Sequence, residues 1–157
     1  MARAAFADLG LSSEPSSDTI HAAFDRQARA SPHAPAVVDG RSGTSLSFSE
    51  LHARSDALAL RLRRNVAQHA AGKTPSMVAA VLIPSTIERM VAYWACLSSG
   101  MAFTPLEAGW PSAVCAQALD LVRPSVLVIS SMTSDDGTGP ACEYCAKAGV
   151  PIVRVGS

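Results

Sequence analysis

Residues 77–83 read MVAAVLI, and residues 84–100 read PSTIERMVAYWACLSSG. Seven consecutive apolar residues have the length of a β-strand that is covered on both faces, which is typical of parallel sheets. The stretch after Pro84 carries apolar residues at helical spacing and stops at Gly100, a residue that commonly ends helices. This strand followed by a helix predicts an α/β fold.

The same alternation continues on both sides of this unit and predicts a mostly parallel sheet with helices on both faces. The predicted strands are residues 36–38, a strand ending at residue 48, and residues 77–83, 101–106, 126–129 and 151–155. The predicted helices are residues 18–30, about 48–65, 86–99, 111–123 and 141–148. Ligands in such sheets lie beyond the carboxyl ends of the strands. Residues 84–85, 106–107 and 130–131 therefore form the candidate functional edge.

Two helix starts carry the capping-box pattern, in which a serine and a glutamate three residues later bond each other's backbone amides. The pattern predicts caps at Ser47 with Glu50 and at Ser85 with Glu88. The helix that follows Pro111 is predicted to turn three residues towards the core, namely Val114, Ala118 and Leu121.

Charge and hydropathy exclude several function classes. The 157 residues contain 13 lysines and arginines against 13 aspartates and glutamates, so no basic surface for nucleic acid is expected. No apolar stretch is long enough to span a membrane, and the first twenty residues lack the apolar core of a secretory signal. Four cysteines without an export signal predict reduced thiols and a cytoplasmic protein. We expect residues 1–17 to be a leader or linker and residues 18–157 to form one α/β lobe.

Several side-chain patterns are candidate chemical sites. Cys142 and Cys145 form a CxxC, which could be a redox pair or half of a zinc site, but two further ligands at zinc spacing are missing from the sequence, so ordinary thiols are favoured. The four histidines, His21, His33, His52 and His69, lack the spacing of metal-binding pairs and are expected to be exposed or locally bonded. Asp135 and Asp136 lack the pattern of a calcium loop. These patterns assign no catalytic, cofactor-binding or metal-binding residue.

Residues 133–140 read TSDDGTGP and look like a phosphate-binding loop rich in Ser, Thr and Gly. Such loops aim backbone amides at phosphate and usually add a lysine. Two aspartates stand in the middle of this stretch, and the nearest lysine is Lys147. The pattern therefore favours a solvated polar loop over residues 130–140, with a phosphate site as the alternative.

Four motifs in fixed order resemble the start of adenylation domains, the adenylate-forming superfamily of acyl-CoA ligases and peptide-synthetase modules. The first is residues 21–28 (HAAFDRQA) followed by 31–37 (SPHAPAV), and the others are residues 46–51 (LSFSEL), residues 78–83 (VAAVLI) with the helix after them, and residues 97–111 (LSSGMAFTPLEAGWP). The last is similar to the peptide-synthetase pattern L-K-A-G-x-A-Y-V-P-L-D-P-x-Y-P. In this chain Glu107-Ala108 replaces Asp-Pro, and Ser98-Ser99 replaces Lys-Ala.

The resemblance implies a parent enzyme that activates a carboxylic or amino acid with ATP and magnesium as acyl-AMP and then transfers the acyl group to a thiol. The family's phosphate loop and catalytic lysine come further along such chains, so we expect an N-terminal lobe, truncated and inactive alone. Its expected partners are the remainder of the domain or a carrier-protein module, with self-association possible. The alternatives are a non-catalytic interaction protein, an acyl-CoA ligase fragment, or an unrelated nucleotide-binding module built on residues 133–140.

Overall fold

A computed structural model describes residues 19–70, 76–131 and 135–156. The helices are α1 (Ile20–Ala30), α2 (Phe48–His69), α3 (Ile87–Ser98), α4 (Ser112–Val122) and α5 (Asp135–Ala148). The strands are β1 (Pro35–Val38), β2 (Ser45–Ser47), β3 (Val78–Leu82), β4 (Ala102–Pro105), β5 (Val126–Ser130) and β6 (Ile152–Val155). None of the described helices is long and apolar enough to cross a membrane.

Four strands form a parallel sheet in the order β4-β3-β5-β6, and β1 pairs with β2 as a separate antiparallel hairpin. Ala80 of β3 lies opposite Thr104 of β4 on one side and Leu127 of β5 on the other. The α/β prediction is therefore confirmed, with β3 and β5 as the two central strands.

Two hydrophobic cores lie on opposite faces of this sheet. Successive side chains of a strand point to opposite faces, so Val126 and Val128 pack into one core while Leu127 and Ile129 pack into the other. Helices α1, α2 and α3 cover the first core, and α4 and α5 cover the second. The apolar sequences of β3 and of residues 126–129 in β5 follow from this burial on both faces.

Helix α4 turns a different face to the core from the one that the sequence predicts. Leu121 is 85% exposed and Val114 is 45% exposed, whereas Cys115 and Leu119 are buried. Ala118 is half-buried. The prediction for Val114 and Leu121 is wrong because α4 has apolar residues at helical spacing on two sides, and periodicity alone does not select between them.

The capping box at the start of α2 is confirmed. The Ser47 hydroxyl accepts from the Glu50 amide at 3.3 Å, and the Glu50 carboxylate accepts from the Ser47 amide at 2.8 Å. The helix extends to His69 rather than to residue 64 or 65, because the buried Val66 continues its inward stripe.

The capping box predicted at Ser85 is wrong. Helix α3 begins after Thr86, whose hydroxyl makes no capping bond. The Glu88 side chain does not reach back to the cap, because it accepts a hydrogen bond from the Ser130 hydroxyl at the end of β5. The same four-residue pattern therefore serves two different purposes in this chain.

The loop predicted over residues 130–140 is also wrong in its second half. Residues 135–140 form the first part of α5, although Pro140 lies inside the helix. Proline removes one helical hydrogen bond and crowds the preceding turn, which is why this stretch looks like a loop in sequence. Residues 133–134 lie outside the described part of the chain. The helical backbone of residues 135–140 removes the Gly137 and Gly139 loop on which the phosphate-site alternative depends.

Replacing Ser47 with alanine is expected to lower the free energy of unfolding by about 1 kcal/mol, because the α2 N-cap loses its acceptor. The matched variant Thr86→Ala should cost less than about 0.5 kcal/mol, since the Thr86 side chain caps nothing. Urea unfolding at pH 7 measures both values. Equal losses in the two variants would contradict the assignment of the caps.

The Ser47→Ala effect should also depend on pH. The amide and then the hydroxyl of Ser47 lower the pKa of Glu50, so the carboxylate form is favoured in the folded protein. A lowered folded-state pKa contributes stability that is complete at neutral pH and is lost as the pH falls through that pKa. Repeating the unfolding at about pH 3 should therefore give a smaller difference between wild type and Ser47→Ala. A difference that grows on acidification would contradict this sign.

Candidate functional site

The connections of the sheet place a crevice between β3 and β5. The chain leaves β3 through α3, on the face of the first core, and leaves β5 through α5, on the opposite face. Neighbouring parallel strands whose connections diverge in this way leave an opening at their carboxyl ends, where α/β proteins commonly bind ligands. β3 is followed by Ile83 and Pro84, and β5 is followed by Ser131, so residues 84–85 and 130–131 of the predicted edge lie at this opening, whereas residues 106–107 follow β4.

A hydrogen bond crosses the crevice. Ser130, at the end of β5, is 3% exposed, and its hydroxyl donates to the Glu88 carboxylate. Glu88 is the second residue of α3, where the helix macrodipole stabilises negative charge. The same position in other α/β proteins suits a phosphate. In this chain the Glu88 carboxylate adds negative charge beside that position.

Beside this bond, Arg89 connects three pieces of the edge. Its Nε donates to the carbonyl oxygen of Ile83 at 2.6 Å, and its two terminal nitrogens each lie 3.3 Å from a Glu107 carboxylate oxygen. Glu107 is half-exposed, so the Arg89–Glu107 ion pair adds little to the free energy of unfolding, and its main effect is on the position of Glu107. It fixes the segment after β4, which is where the chain departs from the Asp-Pro of the resembled motif.

Two clefts flank the Glu88 side chain. The smaller encloses about 290 Å³, and its lining includes Asp39, Pro84, Thr86, Glu88 and Ser130. The larger encloses about 620 Å³ between α2 and α3, and its lining includes Arg54, Arg61, Val91, Ser131 and Gly156. Gly156 packs so closely against Ser131 that a Cβ at this position would collide with the Ser131 hydroxyl.

The described residues of the smaller cleft do not fit a nucleotide triphosphate. The backbone amides of Arg41 and Ser42 lower the pKa of Asp39, which keeps its carboxyl ionised. Asp39 and Glu88 therefore present two carboxylates to the same space, and they repel phosphate. Arg89, the nearby cation, is already bound to Glu107 and to Ile83. Sequence reasoning missed both the Glu88–Ser130 bond and the Arg89–Glu107 pair, because each joins residues that are distant in the chain.

The surroundings of Cys142 and Cys145 favour ordinary structural cysteines over a redox pair. Cys142 and Cys145 lie in the middle of α5, far from the helix N-terminus that a redox pair uses. Burial raises the pKa of Cys145 to about 12 and also raises the pKa of Cys115. No group of three or more His, Cys, Asp or Glu in the described segments could hold a metal ion.

His52 is the histidine with the most extensive bonding. Its two ring nitrogens lie 3.1 Å from Asp25 of α1 and 3.4 Å from Asp56 of its own helix. Opposite ring nitrogens cannot bind one metal together, so this trio ties α1 to α2. His21 and His69 bond near neighbours in sequence, Thr19 and Asn65, in agreement with the prediction of local bonding.

The family of AMP-binding enzymes has a sequence model that matches residues 24–154. The match covers most of the chain, so this protein belongs to the AMP-binding enzyme family. Among curated relatives, it is 35% identical over 106 residues to cyclosporin synthetase simA of Tolypocladium inflatum, covering 68% of this chain and 1% of that protein. It is 33% identical over 118 residues to enterobactin synthase component F of Shigella flexneri, covering 75% of this chain and 8% of that protein.

Solved structures give the same result. The nonribosomal peptide synthetase FmoA3, in its form bound to α-methyl-L-serine-AMP, superposes with a TM-score of 0.71 at 26% identity over 90% of this chain and 14% of that chain. The luciferase-like enzyme of the mealworm Zophobas morio shares the fold, with a TM-score of 0.71 at 17% identity over 92% of this chain and 32% of that chain. The chain thus corresponds to an N-terminal part of an adenylation domain of the peptide-synthetase type, and it spans a small part of the length of its relatives.

Proposed function

We propose that this chain is the scaffold lobe of an enzyme that activates a carboxylic or amino acid as acyl-AMP with ATP and magnesium, for later transfer to a thiol. In this proposal residues 18–157 form the lobe and residues 1–17 act as a leader or linker. The lobe supplies the sheet and its covering helices, while other parts of such an enzyme bind the nucleotide. The chain alone is expected to be inactive.

One observation carries this proposal. Glu88, in the first turn of α3, places a carboxylate at the crevice between β3 and β5, beside the kind of helix N-terminus that can bind phosphate. A lobe that sets its own carboxylate beside this helix N-terminus is suited to frame a nucleotide pocket rather than to bind the phosphates. Membership of the AMP-binding family supports the nature of the reaction.

The location and partners belong to the same proposal. All four cysteines are free in the described residues, which supports a reducing compartment such as the cytoplasm. The curated relatives are long proteins, of which this chain covers 1% to 9%. That difference in length supports further domains as partners, namely the remainder of an adenylation domain and a carrier-protein module.

A two-part experiment tests the proposal. The purified chain, mixed with ATP, magnesium and a panel of amino acids, should show no pyrophosphate exchange. Residues 24–154 should then replace the matching stretch in the adenylation domain of enterobactin synthase component F, and this chimera should retain exchange. Robust exchange by the isolated chain would refute the scaffold role. A folded but inactive chimera would refute the assignment of the lobe.

Two matched variants of the chimera test whether its exchange activity depends on the packing of this lobe. Leu119→Asp places a charge in a buried position and should abolish exchange, whereas Leu121→Asp changes an exposed position and should leave exchange within about twofold. Equal activity of the two variants would show that the lobe does not support the site.

A further inference from the structure

The larger of the two clefts beside Glu88 has the size and the lining of a small-molecule site. It encloses about 620 Å³ between α2 and α3, which is within the range of the cavities that proteins use for ligands of drug size. Its lining includes Leu58, Val91 and Val155, which are all buried; we call these three residues the apolar wall. Such a wall favours a ligand that has an apolar body.

Two arginines of α2 bring positive charge to this cleft. Arg54 and Arg61 both line it, and they lie on the same side of the helix because they are seven residues apart. The third charged group of the lining is the Glu88 carboxylate, which already accepts a hydrogen bond from Ser130. Two positive groups and one negative group leave the lining with one net positive charge.

Ion pairs do not neutralise these two arginines. Arg61 donates from a terminal nitrogen to the carbonyl oxygen of Arg154 at 2.9 Å. That bond positions the guanidinium, and it leaves the charge in place because the carbonyl is neutral. A guanidinium has five N–H donors, so further donors remain for a ligand. Within the described part of the chain, no carboxylate lies at ion-pair distance from Arg54 or Arg61.

We propose that this cleft binds a small organic monoanion, whose apolar body lies against the apolar wall and whose carboxylate or sulfonate group accepts hydrogen bonds from Arg61. The planar guanidinium matches two oxygens of such a group. Arg54 adds positive charge to the same cleft. A single negative charge balances the net charge of the lining, whereas inorganic phosphate and nucleotides carry more charge and present no comparable apolar body.

Fluorescence titration with 8-anilinonaphthalene-1-sulfonate, from about 1 µM to 1 mM, tests the proposal. This probe joins a sulfonate to an apolar body, and its binding to wild type should saturate. Arg61→Gln should weaken binding about tenfold, and Arg54→Gln about threefold. The matched control Arg64→Gln removes an exposed arginine of α2 outside the lining and should bind like wild type. Equal affinities of Arg61→Gln and Arg64→Gln would overturn the proposal.

An uncharged relative of the probe, N-phenyl-1-naphthylamine, separates the contact with the sulfonate from the contact with the apolar body. It should bind wild type more weakly than the sulfonate does. Arg61→Gln should leave its affinity unchanged, which also shows that the cleft is intact in this variant. About 0.5 M salt should weaken the binding of the sulfonate alone. Equal binding of the two compounds by wild type, or an equal loss of both in Arg61→Gln, would contradict anion recognition.

A second pair of variants tests the location of the site. Ala57 is an exposed residue of α2 that lines the cleft, so Ala57→Trp should fill part of the cleft and remove the saturable binding of both compounds. Ala53 is exposed one turn earlier and lies outside the lining, so Ala53→Trp should bind like wild type. Unchanged binding by Ala57→Trp would place the probe elsewhere and overturn the proposal. The inference concerns binding without ATP and does not depend on the adenylation proposal.

Discussion

Replacing Leu119 with alanine is expected to lower the free energy of unfolding by about 3 kcal/mol, whereas Leu121→Ala should change it by less than about 0.5 kcal/mol. Both leucines lie in α4, two residues apart, and both substitutions delete the same atoms. Leu119 has no exposed surface and packs against the core on the α4 side of the sheet, so its truncation leaves a cavity. Truncation of Leu121 removes contacts that are mainly with water.

The measurement is urea unfolding followed by circular dichroism at about 5 µM, so that both variants are compared at the same low protein concentration. The two variants serve as controls for each other, because any change in helix propensity is the same for both. A loss at Leu121 as large as the loss at Leu119 would show that α4 is rotated from its described orientation.

The thiols of Cys96 and Cys145 are expected to react with a thiol-specific disulfide reagent at pH 8 roughly a thousandfold more slowly than an ordinary exposed cysteine. Burial raises the pKa of each to about 12, so only about one thiol in ten thousand is ionised at that pH. Both side chains also have no exposed surface through which the reagent could reach them. Cys142 is half-buried and should react first of the four.

Labelling in native buffer and in denaturant, with the modified peptides identified by mass spectrometry, measures these rates. Cys142→Ala should remove the fast phase and leave the slow one. All four cysteines of wild type should react together in denaturant. Equal rates for Cys142 and Cys145 in the native protein would revive the interpretation of this pair as a redox couple.

The sequence predicted most of the sheet, because residues that are buried on both faces of a strand must be apolar. The runs that became β3 and β5 have few other interpretations. Helix faces were harder to predict. The prediction of which α4 residues face the core is wrong because the helix is apolar on two sides. The position of the sheet decides which side is buried, and a short stretch of sequence does not contain that information.

The sequence predicts the candidate site only as one edge of the sheet, at the carboxyl ends of the strands. Ser47 with Glu50 and Ser85 with Glu88 carry the same local signal, yet only the first pair forms a capping box. Glu88 is drawn instead to Ser130, which lies 42 residues further along the chain. A partner at that distance becomes visible only when the order of the strands is known, and the same holds for Arg89 with Glu107.

The strand order also affects how the chain acquires its structure. The two central strands are joined by long-range contacts, such as the bond from the Ser125 hydroxyl to the Val78 carbonyl, 47 residues away. Contacts of that range are slow to form, because the intervening chain must first lose much of its freedom. During synthesis, β3 therefore emerges before β5 can pair with its edge and before α4 and α5 can cover the second core. This interval is when the chain is most exposed to aggregation.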